Sequence, residues 1–209
     1  MIEAVVFDMD GVLVDARDWH FRALNQALGL FGYSIPRSEH QAIYDGLPTR
    51  TKLSMLSDAV GLPRGLHQVI STLKQDFTLK EALLNCKPEF SVINVLTELR
   101  DQGFVLGCAS NSVRKSVQTF LQQSEILDFF SVVLSNEDVN KPKPDPEIYR
   151  LAMQTLGVSP DVTLVVEDNE HGRLAATNAG AHVLMVSSPS DVTVDRILNQ
   201  IRSISTTPT

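Results

Sequence analysis

The chain predicts an α/β protein, a doubly wound, parallel, Rossmann-like sheet of about five strands with an all-helical segment inserted after the first. Five short runs of apolar and β-branched residues predict the strands. Amphipathic stretches of about ten residues lie between the last four runs, as parallel crossovers need. The long gap between the first and second runs carries helical patterns and no strand.

Taken in order, the first run is Glu3-Ala4-Val5-Val6-Phe7. Apolar on both faces, it suits a strand buried inside a parallel sheet. Over residues 16–84 the pattern turns helical. Leu24, Ala27, Leu28 and Phe31 make one stripe and Leu53, Leu56, Ala59 and Val60 a second. Leu66, Val69, Ile70, Leu73 and Phe77 make a third, each at the spacing of one helix face. Gly32, Pro36, Gly46, Pro48, Gly61 and Pro63 punctuate them. That length exceeds a single crossover helix, so residues 16–84 read as a helical cap, with 1–15 and 85–209 as the core. A helix over residues 92–102, stopped by Gly103, leads to the second strand, Phe104-Val105-Leu106-Gly107-Cys108. Val132-Val133-Leu134 and Val162-Thr163-Leu164-Val165-Val166 are the third and fourth strands. Between them runs a helix over 146–156, with Pro146 in its first turn and Gly157 past its end. His182-Val183-Leu184-Met185-Val186 is the fifth strand, and the tail, residues 203–209, reads as frayed.

Composition narrows the function classes. The 209 residues, 43% of them hydrophobic, are enough to bury a sizeable core. A formal net charge of -7 argues against a nucleic-acid partner, which needs an excess of Lys and Arg. Cys86 and Cys108 form neither a CxxC pair nor a zinc spacing, and Cys108, inside an apolar run, reads as a buried thiol. The N-terminal run is too short and lacks the basic flank of a leader, and no stretch reaches the roughly 20 apolar residues of a membrane span. We therefore expect a soluble cytoplasmic protein with no nucleic-acid or membrane partner, monomeric or weakly homodimeric.

The chemistry gathers where strands end. Phe7-Asp8-Met9-Asp10-Gly11-Val12 puts two carboxylates at the carboxyl end of the first strand, the edge where doubly wound sheets bind ligands. Two residues apart on extended chain, both face one site, and their mutual repulsion calls for a cation or a shared proton. Taken alone, an Asp-x-Asp pair is more simply a turn cap. Asp15, just ahead of a helix, reads as its N-cap. The second strand ends Cys108-Ala109-Ser110-Asn111-Ser112, where Ser110 and nearby backbone N–H groups suit a phosphate and Ser112 caps the following helix. Asn140-Lys141-Pro142-Lys143-Pro144-Asp145-Pro146 follows the third strand, a loop stiffened by prolines. Val165-Val166-Glu167-Asp168-Asn169 closes the fourth with hard carboxylate oxygens of the kind that hold Mg²⁺.

Together these four motifs resemble those of the haloacid dehalogenase superfamily, most closely its β-phosphoglucomutase-like phosphatases and mutases with a helical cap. The resemblance covers essentially the whole chain and only the cap is loosely matched. It implies that Asp8 is a nucleophile that becomes phosphorylated. It makes Asp10 the general acid and base, whose backbone carbonyl also helps bind Mg²⁺. Ser110 is then the phosphoryl-binding hydroxyl, with Asn111 beside it on the substrate. The family's Lys-Pro-x-Pro-Asp pattern assigns the charge-neutralising lysine to Lys141 and leaves Lys143 solvated. Asp8, Asp10, Glu167 and Asp168 form the implied metal set, with Asn169 standing where a small hydroxyl residue is usual.

Within the cap, Arg50 follows Gly46 in a loop similar to one that reaches a substrate's distal anion, although a solvated first-turn arginine reads equally well. Arg114 and His20 are further candidates for substrate contact, with Lys74 behind them. The implied activity is hydrolysis of a small phosphorylated metabolite such as a sugar phosphate. A phosphomutase is the alternative, disfavoured because Ala16 stands where such mutases carry Thr. A dehalogenase would need neither Asp10 nor a metal. A non-catalytic regulator on this scaffold would be expected to have lost one of the core groups, and none is missing.

Overall fold

The computed structural model describes residues 1–206, with the side chain of Thr206 outside the description. The chain divides into two compact units, Met1–Asp15 with the chain from Lys87 onward, and Ala16–Cys86.

The first unit is built on a five-stranded, wholly parallel sheet. Its strands are β1 (Ala4–Phe7), β2 (Val105–Ala109), β3 (Val132–Leu134), β4 (Thr163–Glu167) and β5 (His182–Met185), in the spatial order β3-β2-β1-β4-β5. Chain order reverses at β1, which therefore sits at the switch point of the sheet. Phe7 lies opposite Cys108 on one side and Val166 on the other. The residues that follow these three strands consequently emerge side by side at one edge. β1 is buried along its whole length, as its unbroken apolar run requires.

The second unit holds α1 (Arg17–Gly29), the short α2 (Arg37–Glu39) running into a π-helical turn at His40–Tyr44, α3 (Thr49–Val60) and α4 (His67–Asn85). α1 packs along α4, and Leu24, Leu28, Ile35, Tyr44, Leu53, Leu56 and Ile70 form the core. Asn25 staples the chain after α1. Its amide donates to the Ile35 carbonyl at 3.1 Å and its oxygen accepts from Ile35 N–H at 2.7 Å. Two of the expected stripes are rotated. Ala59, Val60 and Val69 face outward, and Lys52 turns inward beside His40. The unit ends at Cys86 rather than at residue 84, because α4 runs to Asn85 and Cys86 N–H still bonds to the Ala82 carbonyl.

Returning to the first unit, α5 (Phe90–Asp101) leads to β2 and α6 (Arg114–Gln123) follows it; α7 (Glu147–Leu156) and α8 (Glu170–Asn178) complete the crossovers, and α9 (Val194–Thr206) follows β5. α7 and α8 pack together over Val6, Ala109 and Val165, with Ile148, Tyr149, Ala152, Ala175 and Ala176 filling the layer. Three capping expectations change. α1 starts at Arg17 with buried Ala16, rather than Asp15, in the N-cap position. The N-cap of α6 is Val113, which leaves the Ser112 hydroxyl for another partner. The expected fraying at 203–206 is instead helix, because buried Ile197 and Ile201 anchor α9 one turn apart. The remainder of that expectation, residues 207–209, lies outside the described residues.

Candidate active site

Beyond Phe7 the chain bends at Met9, which is fully buried, with Asp8 and Asp10 on either side of it. The Met9 carbonyl accepts from Leu13 N–H at 2.9 Å and Val14 N–H at 3.0 Å, folding residues 9–14 into a compact turn. Gly11 makes that turn at φ 91°, a conformation that costs a residue with a Cβ free energy. Asp8 is buried and Asp10 half-buried.

The Lys143 ammonium lies 2.6 Å from Asp8 Oδ1, 2.6 Å from Glu167 Oε1, 2.8 Å from the Ala109 carbonyl and 2.8 Å from the Tyr149 hydroxyl. The Tyr149 hydroxyl donates to Glu167 Oε1 at 2.5 Å. All four of Asp8, Lys143, Tyr149 and Glu167 are buried. Burial alone would pull the lysine down, but Asp8 and Glu167 outweigh it and hold the ammonium above its ordinary value. Asp8 is pushed well up, first by burial; Lys143 opposes this, and the charges of Glu167, Asp168 and Asp10 add to it. Burial, followed by the Glu167 and Asp8 charges, likewise raises Tyr149.

This corrects the lysine assignment. The sequence reading placed the ammonium on Lys141 and left Lys143 in solvent, whereas Lys141 has a side chain 75% exposed, 4.0 Å from Asp145. The cause is local. The Glu147 carboxylate at the start of α7 accepts from Asn140 N–H at 3.0 Å and Lys141 N–H at 2.9 Å, and the loop folds back with Lys141 outward. A signal existed in the sequence. The Lys-Pro-x-Pro pattern reads in two frames here, and the second, Lys143-Pro144-Asp145-Pro146, begins on the buried lysine.

Ser110 is buried beyond β2, and its N–H bonds to the Leu134 carbonyl at 3.0 Å. Its hydroxyl lies 3.4 Å from Asp10 Oδ2, and the freed Ser112 hydroxyl donates to the same oxygen at 2.7 Å. Asn111 does something other than expected. Its oxygen accepts from Lys143 N–H at 3.0 Å and its amide donates to the Lys143 carbonyl at 3.3 Å. Ser112, Tyr149 and Lys143 are the members of the cluster that the motif reading missed.

At the end of β4, Glu167 is wholly buried and Asp168 half-buried. Glu167 Oε2 accepts from Asp168 N–H at 3.1 Å. Asn169 caps α8, accepting from Gly172 N–H at 2.9 Å while its amide donates to Asp168 Oδ1 at 2.8 Å. Gly172 is required by contact, since a Cβ there would lie 1.8 Å from Glu167 Oε1. Ligand atoms of Asp8, Glu167 and Asp168 all fall within 4.8 Å of one another. Three carboxylates around a single ammonium leave the pocket short of positive charge, and their hard oxygens fit a small divalent cation.

Arg114 is exposed and paired with Asp138 at 2.8 Å. Within the helical unit, Arg50 is exposed in the first turn of α3. His20 is half-buried on α1, its Nδ1 3.1 Å from Lys74 Nζ.

The sequence matches the haloacid dehalogenase-like hydrolases over residues 5–186. The chain belongs to this family. It is 30% identical over 189 residues to a phosphoglycolate phosphatase of Nitrosospira multiformis, covering 88% of this chain and 83% of that protein. It is 29% identical over 180 residues to a phosphorylated carbohydrates phosphatase of Thermotoga maritima, covering 86% and 82%. In fold it is similar to a β-phosphoglucomutase from Clostridium difficile, with TM-score 0.86 at 19% identity, over 99% of this chain and all of that one. As a member of this family the chain is a hydrolase of the phosphatase kind, and no helix among the described residues is long and apolar enough to cross a membrane.

Proposed function

We propose that this hydrolase is a Mg²⁺-dependent phosphatase of small phosphorylated metabolites, sugar phosphates foremost, acting through a phosphoryl group carried on Asp8. The observation that carries the proposal is the convergence of Asp8, Lys143, Glu167 and Asp168, with the ammonium 2.6 Å from the Asp8 carboxylate. The name of the Thermotoga maritima relative supports the sugar-phosphate class.

Asp8 attacks phosphorus, and the bond to the leaving alkoxide breaks in line. Both attacker and substrate are anionic, so the site must first remove charge repulsion. Lys143 does so with an ammonium already seated on Asp8. Mg²⁺, held by Asp8, Asp168 and the Asp10 carbonyl with Glu167 completing the acidic set, would supply further neutralisation. Ser110 offers its hydroxyl to a phosphoryl oxygen. Asp10 protonates the leaving oxygen, then takes a proton from the water that hydrolyses the acyl phosphate. The Ser112 hydroxyl, which donates to Oδ2 at 2.7 Å, fixes the Asp10 carboxylate for that exchange and leaves the Ser110 hydroxyl for the phosphoryl group.

The test is a panel of phosphorylated metabolites assayed with and without Mg²⁺, scoring inorganic phosphate and isomerised product separately. Phosphate release that needs the metal and vanishes in Asp8→Asn is the expected result. Isomer formation without phosphate release would assign a mutase instead, and wild-type turnover by Asp8→Asn would remove the nucleophile.

A further inference from the structure

We propose that Asn111 and Tyr149 are positioning residues that aim the Lys143 ammonium, one from each end of its side chain; this rests on the reading of Lys143 as the group that neutralises the phosphoryl charge. A lysine side chain is long and flexible, so a fixed head group needs restraint at both the backbone and the nitrogen. Asn111 restrains the backbone. Its carboxamide closes a two-bond ring with the N–H and carbonyl of Lys143, at 3.0 and 3.3 Å. Asn111 is itself held, because the Asn136 amide donates to its carbonyl at 2.8 Å. That ring uses one N–H and one oxygen lone pair of the carboxamide, so its first role is to hold the Lys143 backbone.

Tyr149 restrains the other end. An ammonium has three N–H donors, and Lys143 has four acceptors within hydrogen-bond distance: Asp8 Oδ1, Glu167 Oε1, the Ala109 carbonyl and the Tyr149 oxygen. The acceptors outnumber the donors, so an arriving phosphoryl oxygen can draw one N–H only if another acceptor gives it up. Glu167 Oε1 is able to do so because the Tyr149 hydroxyl donates to it independently at 2.5 Å. Tyr149 thus keeps that buried oxygen hydrogen-bonded whichever way the ammonium turns, avoiding the penalty of a bare buried carboxylate oxygen. The phenol neither attacks nor transfers a group; it acts through Glu167 and Lys143.

The experiment uses the full chain with p-nitrophenyl phosphate as probe at saturating Mg²⁺. Lys143→Ala is measured first; wild-type turnover there would sink the reading beneath and the proposal with it. Given a dead Lys143→Ala, Asn111→Ala and Tyr149→Phe should each lower kcat roughly tenfold or more, the loss expected for a hydrogen bond serving a charged group. KM should stay within about twofold, because ground-state binding is untouched. Tyr149→Phe keeps the ring and its packing, so a variant that melts at the wild-type temperature yet loses kcat separates positioning from folding. A raised KM at unchanged kcat in Asn111→Ala would assign that residue to substrate and overturn the proposal. Wild-type kcat in Tyr149→Phe would overturn it equally.

Discussion

Two lysines two residues apart end in opposite surroundings, one 2% and the other 75% exposed along the side chain. That difference makes the sharpest residue-scale prediction. Lys143→Ala should lose at least the roughly 10²-fold that a preorganised charge-stabilising group supplies, whereas Lys141→Ala should keep wild-type kcat; steady-state rates of the two decide. Asp10→Asn should cost about 10²–10⁴-fold, most for poor alkoxide leaving groups and least for p-nitrophenol, which needs little proton donation. At Gly172 the prediction concerns space. A methyl group placed 1.8 Å from Glu167 Oε1 must displace the carboxylate. Gly172→Ala should therefore weaken Mg²⁺ binding in calorimetry and lower the melting temperature together. Asp8, Glu167 and Asp168 were legible in the sequence because each lies within two residues of the end of a buried apolar run. Ser112 was legible as a residue and misread in its role, since its nearest donors along the chain are helix N–H groups, and its actual partner, Asp10, is 102 residues away.

Among the elements, the strands were the most legible, each within a residue or so of its apolar run, because burial on both faces leaves a continuous signal. The helices of the inserted unit were harder. Their stripes are correct in spacing but wrong in phase at Ala59, Val60 and Val69, because the apolar side of a short helix is settled by what it packs against. The π-helical turn at His40–Tyr44 had no sequence signature. It carries a consequence for stability. His40 is buried on this turn, 3.3 Å from Lys52, and burial, followed by the Lys52 charge, lowers it from 6.5 to about 4. Above 6.5 the ring is neutral in both folded and unfolded chains and contributes no pH dependence. Below that value the unfolded chain takes up a proton that the folded one declines, so stability falls as pH drops toward 4. His40→Gln should flatten this part of the curve. Urea midpoints of the two proteins at about pH 7 and about pH 5 measure the difference; parallel loss in both would reject the assignment.

For the whole molecule, the order β3-β2-β1-β4-β5 matters more than any one strand. It sets the carboxyl ends of β2, β1 and β4 beside one another, so Ser110, Asp8 and Asp168 reach one edge although they are far apart in the chain. The net charge of -7 and the carboxylate cluster predict a metal response at this scale. A chelator should abolish turnover, added Mg²⁺ should restore it, and Mg²⁺ should raise the melting temperature with concentration as mass action requires. In the Asp168→Asn protein that thermal shift should shrink markedly; an unchanged shift would place the cation elsewhere.

The alternation of buried runs with amphipathic stretches, and the acidic or hydroxyl residues set after strand ends, are local properties. They determine the α/β class, the helical insertion and the edge on which the chemistry sits without any tertiary contact. Which side chains meet there is a long-range matter. The Lys143–Asp8 contact spans 135 residues and the Asn111–Lys143 ring 32. Folding decides these pairings because a buried charge or amide must be paired, and the sheet, by bringing distant strand ends to one edge, determines which partners are within reach.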